Sequence, residues 1–594
     1  MGKIAKIRSH IRVVIYLSII VIAAGCASTM QDESVVTSPP PASAPQTPDG
    51  NLEEITVTGS YTPGREKDRY EEYREKQREQ RRQREQAIAE LNRRAESVNQ
   101  NRTTPIHIAD EIISRPVDPT MIFKNYGVNP TVNTLDENTT TFSIDVDTAS
   151  YNVAKGFLDQ GALPDADGIR VEEFVNSFDY GYLEPRNDMF SLQAEAFPSM
   201  FRRGFHVLHL GVKAKETADD RAKHTNLTLL IDVSGSMAGG NRLEMLKDAL
   251  YLLIDGLKYQ DIVSIVVYST DARLVLEPTE VRYRRNIKQA IAALRPEAST
   301  NIEAGLELAY RMANKAWDPE RNNRIILCSD GVANVGVTNP ERMMKDVSSA
   351  AKQGVYLNAV GVGMGNYNDV TLEELARQGQ GQYGYINSLQ DAKKMFVDQL
   401  LSNLNVVARD VRIQVEFDPL YVQSYRLLGY ENRGMDNRDF NNAKKDAGEV
   451  GAGHTVTAIY EVKFREGLPS DNFGIFRLNY KPLDSEQLQL VERSMPAAIV
   501  AQSAARATAN TQLSYIAAAF AEKLRGSYWS RTYDYDDLGD WLKPLRNKVA
   551  DRNGADELLA YLRQAGRLDK RGDRFSHIVS ISKMNFDHVP VLTD

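Results

Sequence analysis

The apolar positions of the chain change period twice. Phe190 to Ala196 and Phe205 to Lys213 alternate apolar and polar residues, the period of a half-buried strand. From Asn226 the pattern changes to short continuous apolar runs separated by helical spacing. Leu227 and Leu229 to Ile231 read as a strand buried on both faces, and Leu243, Leu246, Leu250, Leu253, Ile254 and Leu257 as one face of a helix. Further strands are predicted at 261–268, 324–327, 355–362 and 383–386, interleaved with helices at 285–294, 302–316, 340–353, 372–378 and 389–404. Beyond 405 the period returns to two, at Val411 to Phe417, His454 to Phe464 and Phe473 to Tyr480. Helical spacing then covers 497–526, 538–550 and 556–565. Alternating strand and helix implies a doubly wound, mostly parallel α/β sheet. The two strand-period flanks imply a β-sandwich-like domain into which that sheet is inserted, followed by a C-terminal helical region.

The first residues follow a different logic. Lys3, Lys6, Arg8 and Arg12 precede an apolar stretch, Val13 to Ala24, that closes in Ala23-Ala24-Gly25-Cys26. A basic segment, a short apolar segment and small residues before a cleavage point predict an exported chain. With cysteine at the first mature position, the segment resembles a bacterial lipoprotein signal. That resemblance implies removal of residues 1–25 and lipidation of Cys26. Ala27 behind it, rather than Asp, implies delivery to the outer membrane, facing the periplasm. The Ser/Thr/Pro-rich stretch to about Ser60 and the mixed-charge Arg/Glu/Gln stretch from Arg65 to Ser97 predict a disordered and helical tether over 26–115.

Composition removes several function classes. A net charge of −8 argues against general nucleic-acid binding. The eight histidines form no HExxH or other ligand-spaced group, and His206 and His209 fall on opposite faces of one predicted strand. Cys328, in IILCSDG, reads as a small buried hydrophobe, so with Cys26 lipidated no disulfide forms. Asp145 and Asp147 predict a strand end and a helix N-cap at Asp147 or Thr148; Asp534, Asp536 and Asp537 likewise predict N-capping. Gly361-Val362-Gly363 follows a strand, but Asn366 stands where a dinucleotide loop needs its third glycine.

The chemistry concentrates in Asn226 to Met237, NLTLLIDVSGSM. Asp232, Ser234 and Ser236 alternate at the C-terminal end of a buried strand, with Gly235 expected to turn the backbone and a helix directly behind. Ligands bind at that edge of open α/β sheets. The run resembles the DxSxS signature of the metal-ion-dependent adhesion site in the von Willebrand factor A (VWA) family. Thr300, in a loop before a helix, and Asp330, at the end of a later strand, match the family's other two ligands. The stretch 142–182 and the C-terminal tail resemble the extensions of one bacterial group of VWA proteins. The implied domains are 116–225 (an N-terminal extension with a β-rich part), 226–405 (VWA), 406–485 (the rest of the sandwich) and 486–594 (helical).

The resemblance implies a Mg²⁺ or other divalent ion at Asp232, Ser234, Ser236, Thr300 and Asp330, with the serines binding directly and the aspartates largely through water. Mg²⁺ takes six oxygens at about 2.1 Å and keeps water readily. Few anionic ligands leave a coordination position suited to an Asp or Glu carboxylate from a protein partner. Apart from Cys328, read as a buried hydrophobe, no histidine or cysteine and no serine–histidine–aspartate set accompanies these motifs, so the reading is a binding module and not an enzyme. The alternatives are an accessory subunit of an ATPase-linked assembly or metal-insertion system, and a structural envelope protein with a vestigial site.

Overall fold

The structure is a computed structural model that describes residues 123–584, except 145–146, 217–222, 298–300, 332–339, 364–368, 397–404, 444, 446 and 578. Cys26 and the expected tether therefore lie outside the described residues. Ahead of the central sheet come β1 (Val132–Asn133), β2 (Thr139–Ser143), helix α1 (Ala149–Asp159), the short α2 (Val171–Val175), β3 (Phe190–Pro198) and β4 (His206–Ala214).

The central unit begins with β5 (Thr225–Asp232) and α3 (Arg242–Gly256), then β6 (Ile262–Tyr268), β7 (Ala272–Glu280), α4 (Arg284–Ala292) and α5 (Ile302–Lys315). It continues through β8 (Asn322–Ser329), α6 (Pro340–Lys352), β9 (Val355–Val362), α7 (Asp369–Gln378), β10 (Tyr383–Ile386) and α8 (Leu389–Lys393). Its sheet has the order β10-β9-β8-β5-β6-β7, and all neighbours are parallel except the β6–β7 pair. The strand order reverses beside β5, so the ends of β5 and β8 open a crevice at the C-terminal edge. Every residue of β5 is buried, because helices cover both faces of the sheet.

The remaining strands are β11 (Val406–Phe417), β12 (Val422–Leu428), β13 (Gly434–Met435), β14 (Gly448–Gly451), β15 (Thr455–Phe464), β16 (Asn472–Pro482) and β17 (Gln489–Pro496). Helices α9 (Ala509–Leu524), α10 (Tyr535–Leu542) and α11 (Arg552–Leu568) follow. Strands from both flanks build two sheets, β1-β12-β15-β4-β3 and β13-β2-β11-β16-β17, the latter with β14 on β11. In the first, β4 pairs antiparallel with β15 from His206↔Val462 to Thr455↔Lys213; in the second, β2 pairs with β11. Phe142, Phe190, Leu208, Tyr460 and Phe476 share the core between them. The central unit is thus inserted in a β-sandwich, as the two strand-period flanks predict. Its two crossings meet one turn: Gly453 N–H donates to the Lys215 carbonyl (3.2 Å) and Ala452 N–H to that of Asn405 (2.8 Å).

The C-terminal helices pack with α1 and α2 on the outer face of the β4–β15 sheet, burying Phe174, Phe197, Leu513, Phe520 and Leu558. Asp534 caps α10 in a reciprocal box with Asp537, as its sequence implies. Capping before α1 differs from expectation. Thr148 holds the N-cap position without a side-chain bond, and Asp147 instead accepts from Tyr383 N–H (2.8 Å) and Arg433 Nη2 (2.7 Å). A buried carboxylate is better satisfied by an amide and a guanidinium than by one helix end. Asp145 lies outside the described residues. Among the described residues no helix is long and apolar enough to cross a membrane.

Candidate metal centre

The site is built where β5 ends. Thr228, Leu229, Leu230 and Ile231 carry the chain through the middle of the sheet, and Asp232 emerges at the crevice with no exposed surface. One carboxylate oxygen, Oδ1, accepts from Ser234 N–H at 2.8 Å; Oδ2 accepts from Ser329 Oγ at 2.9 Å and Tyr268 OH at 3.4 Å. Burial is the main reason its pKa is pushed up to about 6, and the charge of Asp330 adds to the rise. The donated hydrogen bonds oppose it without cancelling it.

Ser234 and Ser236 place their hydroxyl oxygens 3.0 Å apart at the start of a 3₁₀ turn, Gly235–Asn241. The left-handed backbone that redirects the chain into α3 falls at Gly240 (φ 57°) and Asn241 (φ 60°), not at Gly235. The turn is wider than the sequence suggests because a 3₁₀ segment at 235–238 and an extended Gly239 come first. Asp330 follows β8 and is 1% exposed. Gly331 behind it adopts φ 92°, a conformation that suits glycine, and its N–H donates to Ser329 Oγ (3.2 Å).

Thr300 lies outside the described residues, but its surroundings do not. Glu297 N–H donates to the Val233 carbonyl at 2.5 Å, which ties the loop before Thr300 to the loop of Asp232. Asn301, directly after it, caps α5 by accepting from Ala304 N–H (3.1 Å). The structure therefore brings Asp232, Ser234, Ser236 and Asp330 to one crevice, with Glu297 tied to the loop that follows Asp232.

Three participants escape the sequence reading. Arg242, the first residue of α3, donates through Nη1 to the Ser236 carbonyl (2.7 Å) and to Asp330 Oδ2 (3.1 Å). It packs so closely on Gly363 that a Cβ there would come 2.7 Å from its Cγ. Glycine at 363 thus makes room for an arginine, in the loop whose sequence departs from a dinucleotide site at Asn366. Ser329 and Tyr268 orient Asp232; the serine next to Asp330 was the available signal, while Tyr268 had none beyond ending a predicted strand.

This donor set fits a hard divalent cation. Two buried carboxylates lie beside two hydroxyls 3.0 Å apart, the hard oxygen donors such an ion takes. Among the described residues no cluster of three or more His, Cys, Asp or Glu side chains could hold a metal. A second polar cluster is inert by contrast. His209 contacts Ser514 Oγ through Nδ1 (2.8 Å) and Tyr182 OH through Nε2 (2.8 Å), but it is buried and no carboxylate orients it.

Comparison with known proteins finds matches in three stretches of the chain. Family profiles match at 118–209 (von Willebrand factor), 227–332 (von Willebrand factor type A domain) and 402–568 (uncharacterized protein YfbK, C-terminal). The uncharacterized protein YfbK of Escherichia coli is 32% identical over 452 residues, covering 72% of this chain and 78% of the relative. The uncharacterized protein sll0103 of Synechocystis is 32% identical over 212 residues, 36% of this chain and 49% of that protein. Among solved structures, a von Willebrand factor type A protein from Catenulispora acidiphila aligns with a TM-score of 0.38 at 17% identity, covering 65% of this chain and 91% of the other.

Proposed function

Because the chain belongs to the von Willebrand factor type A family, in the group that carries a YfbK-type C-terminal domain, we propose that it is a metal-dependent protein-binding module of the bacterial cell envelope. VWA domains are generally interaction modules rather than enzymes, and they commonly take a divalent ion at this motif. The finer reading is that Ser234, Ser236, Thr300, Asp232 and Asp330 would hold Mg²⁺. When bound, the ion supplies a Lewis-acidic position for an Asp or Glu carboxylate of the partner. Asp232 fixes the Ser234 loop through its bond to Ser234 N–H, and Ser329 and Tyr268 fix Asp232 in turn. The observation that carries this reading is the pair of buried carboxylates beside two hydroxyls 3.0 Å apart at the open end of the sheet.

One observation favours a second reading, an envelope protein of structural role. Arg242 already sets a cation of the chain's own 3.1 Å from Asp330. Affinity capture from solubilised envelopes separates the two. Wild type, Ser234→Ala and Asp330→Ala are each used with Mg²⁺ and with EDTA. The docking reading expects a partner retained only by wild type in Mg²⁺; equal capture in all six conditions supports the structural role.

Placement is part of the same proposal. The basic and apolar segment ending in Cys26 supports a lipid anchor, and Ala27 supports the outer membrane facing the periplasm. Mass spectrometry is expected to find lipidated Cys26 at the mature N-terminus, with Cys26→Ser releasing or mislocalising the protein. Finding residues 1–25 still attached contradicts it.

A further inference from the structure

One edge of the sandwich carries a polar cavity that the metal centre does not use. It measures about 760 Å³ and lies between β3, the 498–502 segment that follows β17, and the N-terminus of α9. That volume falls in the range of ligand sites. β3 is the last strand of its sheet, so one side of its backbone has no neighbouring strand. Just before β3, the Met189 carbonyl faces the β4 side and accepts from Lys215 N–H (2.9 Å). Alternation therefore turns the main-chain groups of Leu192, Ala194 and Ala196 outward. The Leu192 carbonyl accepts from Arg493 Nη1 (2.7 Å) and the Ala196 carbonyl from Ala501 N–H (2.7 Å). Between them, Ala194 lines the cavity, and its N–H and C=O have no partner among the described residues. The edge already accepts an extended chain next door, where Val500 bridges Ala196 in parallel.

Two guanidiniums line the same cavity, Arg493 and Arg506, and neither has a carboxylate partner among the described residues. The wall holds one carboxylate, Glu195, whose oxygens are already engaged at the N-terminus of α9. It accepts from Thr508 N–H (2.9 Å), Thr508 Oγ1 (2.7 Å) and Thr511 Oγ1 (2.6 Å). Leu183, 75% exposed, adds an apolar side chain to the lining. A small free anion would use the arginines but leave the Ala194 backbone pair and Leu183 idle. An extended peptide with an acidic residue uses all of them: its main chain pairs with the strand edge, and arginine forks match its carboxylate.

We propose that this cavity binds an extended acidic segment of a protein partner, added to the edge of β3 at Ala194 with its carboxylate on Arg493 and Arg506. The contact needs no metal.

Fluorescence anisotropy with the full chain in EDTA tests it, because chelation keeps the metal centre out of the reading. The probe is a labelled, acetylated hexapeptide of alternating threonine and valine closed by two aspartates. It should bind saturably at one site. Two altered peptides should bind at least about tenfold more weakly: one with asparagines and an amidated end, and one N-methylated at every residue but the aspartates. Arg493→Gln and Arg506→Gln should each weaken the acidic peptide about tenfold. Ala194→Pro keeps every charge, is tolerated where an edge N–H faces outward, and should weaken it as much. All three variants should unfold at the wild-type temperature. No saturable binding of the acidic peptide, binding that none of these substitutions alters, or displacement by succinate as effective as by unlabelled peptide overturns the proposal.

Discussion

His209 shows how much a single residue can carry. Burial drives its pKa down to about 3, while both ring nitrogens keep partners in Ser514 and Tyr182. The folded state refuses a proton that the unfolded chain accepts below its ordinary value of about 6.5. Its contribution is therefore present in full above about pH 6.5 and lost as the pH falls from there toward 3. Between pH 7.5 and 5.0 the wild type should lose about 2 kcal/mol that His209→Gln does not lose, measured by urea unfolding at each pH. Equal losses contradict this. The opposite orientation of His206 and His209 was legible from strand alternation. The Ser514 partner was not, because 305 positions separate the two residues and only the docking of α9 joins them. The same holds at the metal centre: Asp232, Ser234, Ser236 and Asp330 stand in recognisable motifs, whereas Arg242 and Tyr268 become participants only through packing.

Elements were legible where one environment governs a whole run. The buried strands β5, β6, β8, β9 and β10 and the helices of the central unit from α3 to α7 fall within three residues of their expected bounds, whereas the helix expected from 497 starts only at Ala509, after two short 3₁₀ turns, and α10 ends at Leu542 and not at 550. β12 escaped because Val422 to Leu428 is buried on both faces yet contains Arg426, whose guanidinium meets Glu461 (3.1 Å) and Glu522 (3.2 Å). A charge satisfied by distant carboxylates breaks the apolar pattern without breaking the strand. β17 escaped for the opposite reason: as a mostly exposed edge strand it has little apolar alternation to read. The cap of α10 belongs to this scale too. Asp534→Ala removes the oxygen that accepts from Asp537 N–H at 2.9 Å and should cost about 1 kcal/mol of stability. Thermal unfolding checks it, and an unchanged midpoint would mean that the cap contributes nothing.

At the scale of the molecule, the three parts share one charged joint. Lys155 on α1 reaches Asp391 on α8 (2.7 Å) and Glu557 on α11 (3.1 Å), so extension, inserted sheet and C-terminal helices meet at a single ammonium. Lys155→Met should destabilise by about 3 kcal/mol, because it leaves the buried Asp391 without its counter-charge. Denaturant unfolding that keeps the wild-type midpoint would place the strength of the joint elsewhere. The insertion itself was legible from the return of period two after residue 405. The shared turn at Gly451 to His454 that pins both crossings was not, since it depends on register between strands more than 200 residues apart.

The central claim is that the crevice between β5 and β8 is a divalent-cation site, and titration calorimetry with Mg²⁺ and Mn²⁺ tests it most directly. Wild type should bind one ion per chain, and Ser234→Ala and Asp330→Ala should each bind at least about tenfold more weakly while unfolding at the wild-type temperature. A wild-type protein that takes up neither ion, or two variants that bind as tightly as wild type, would contradict the claim.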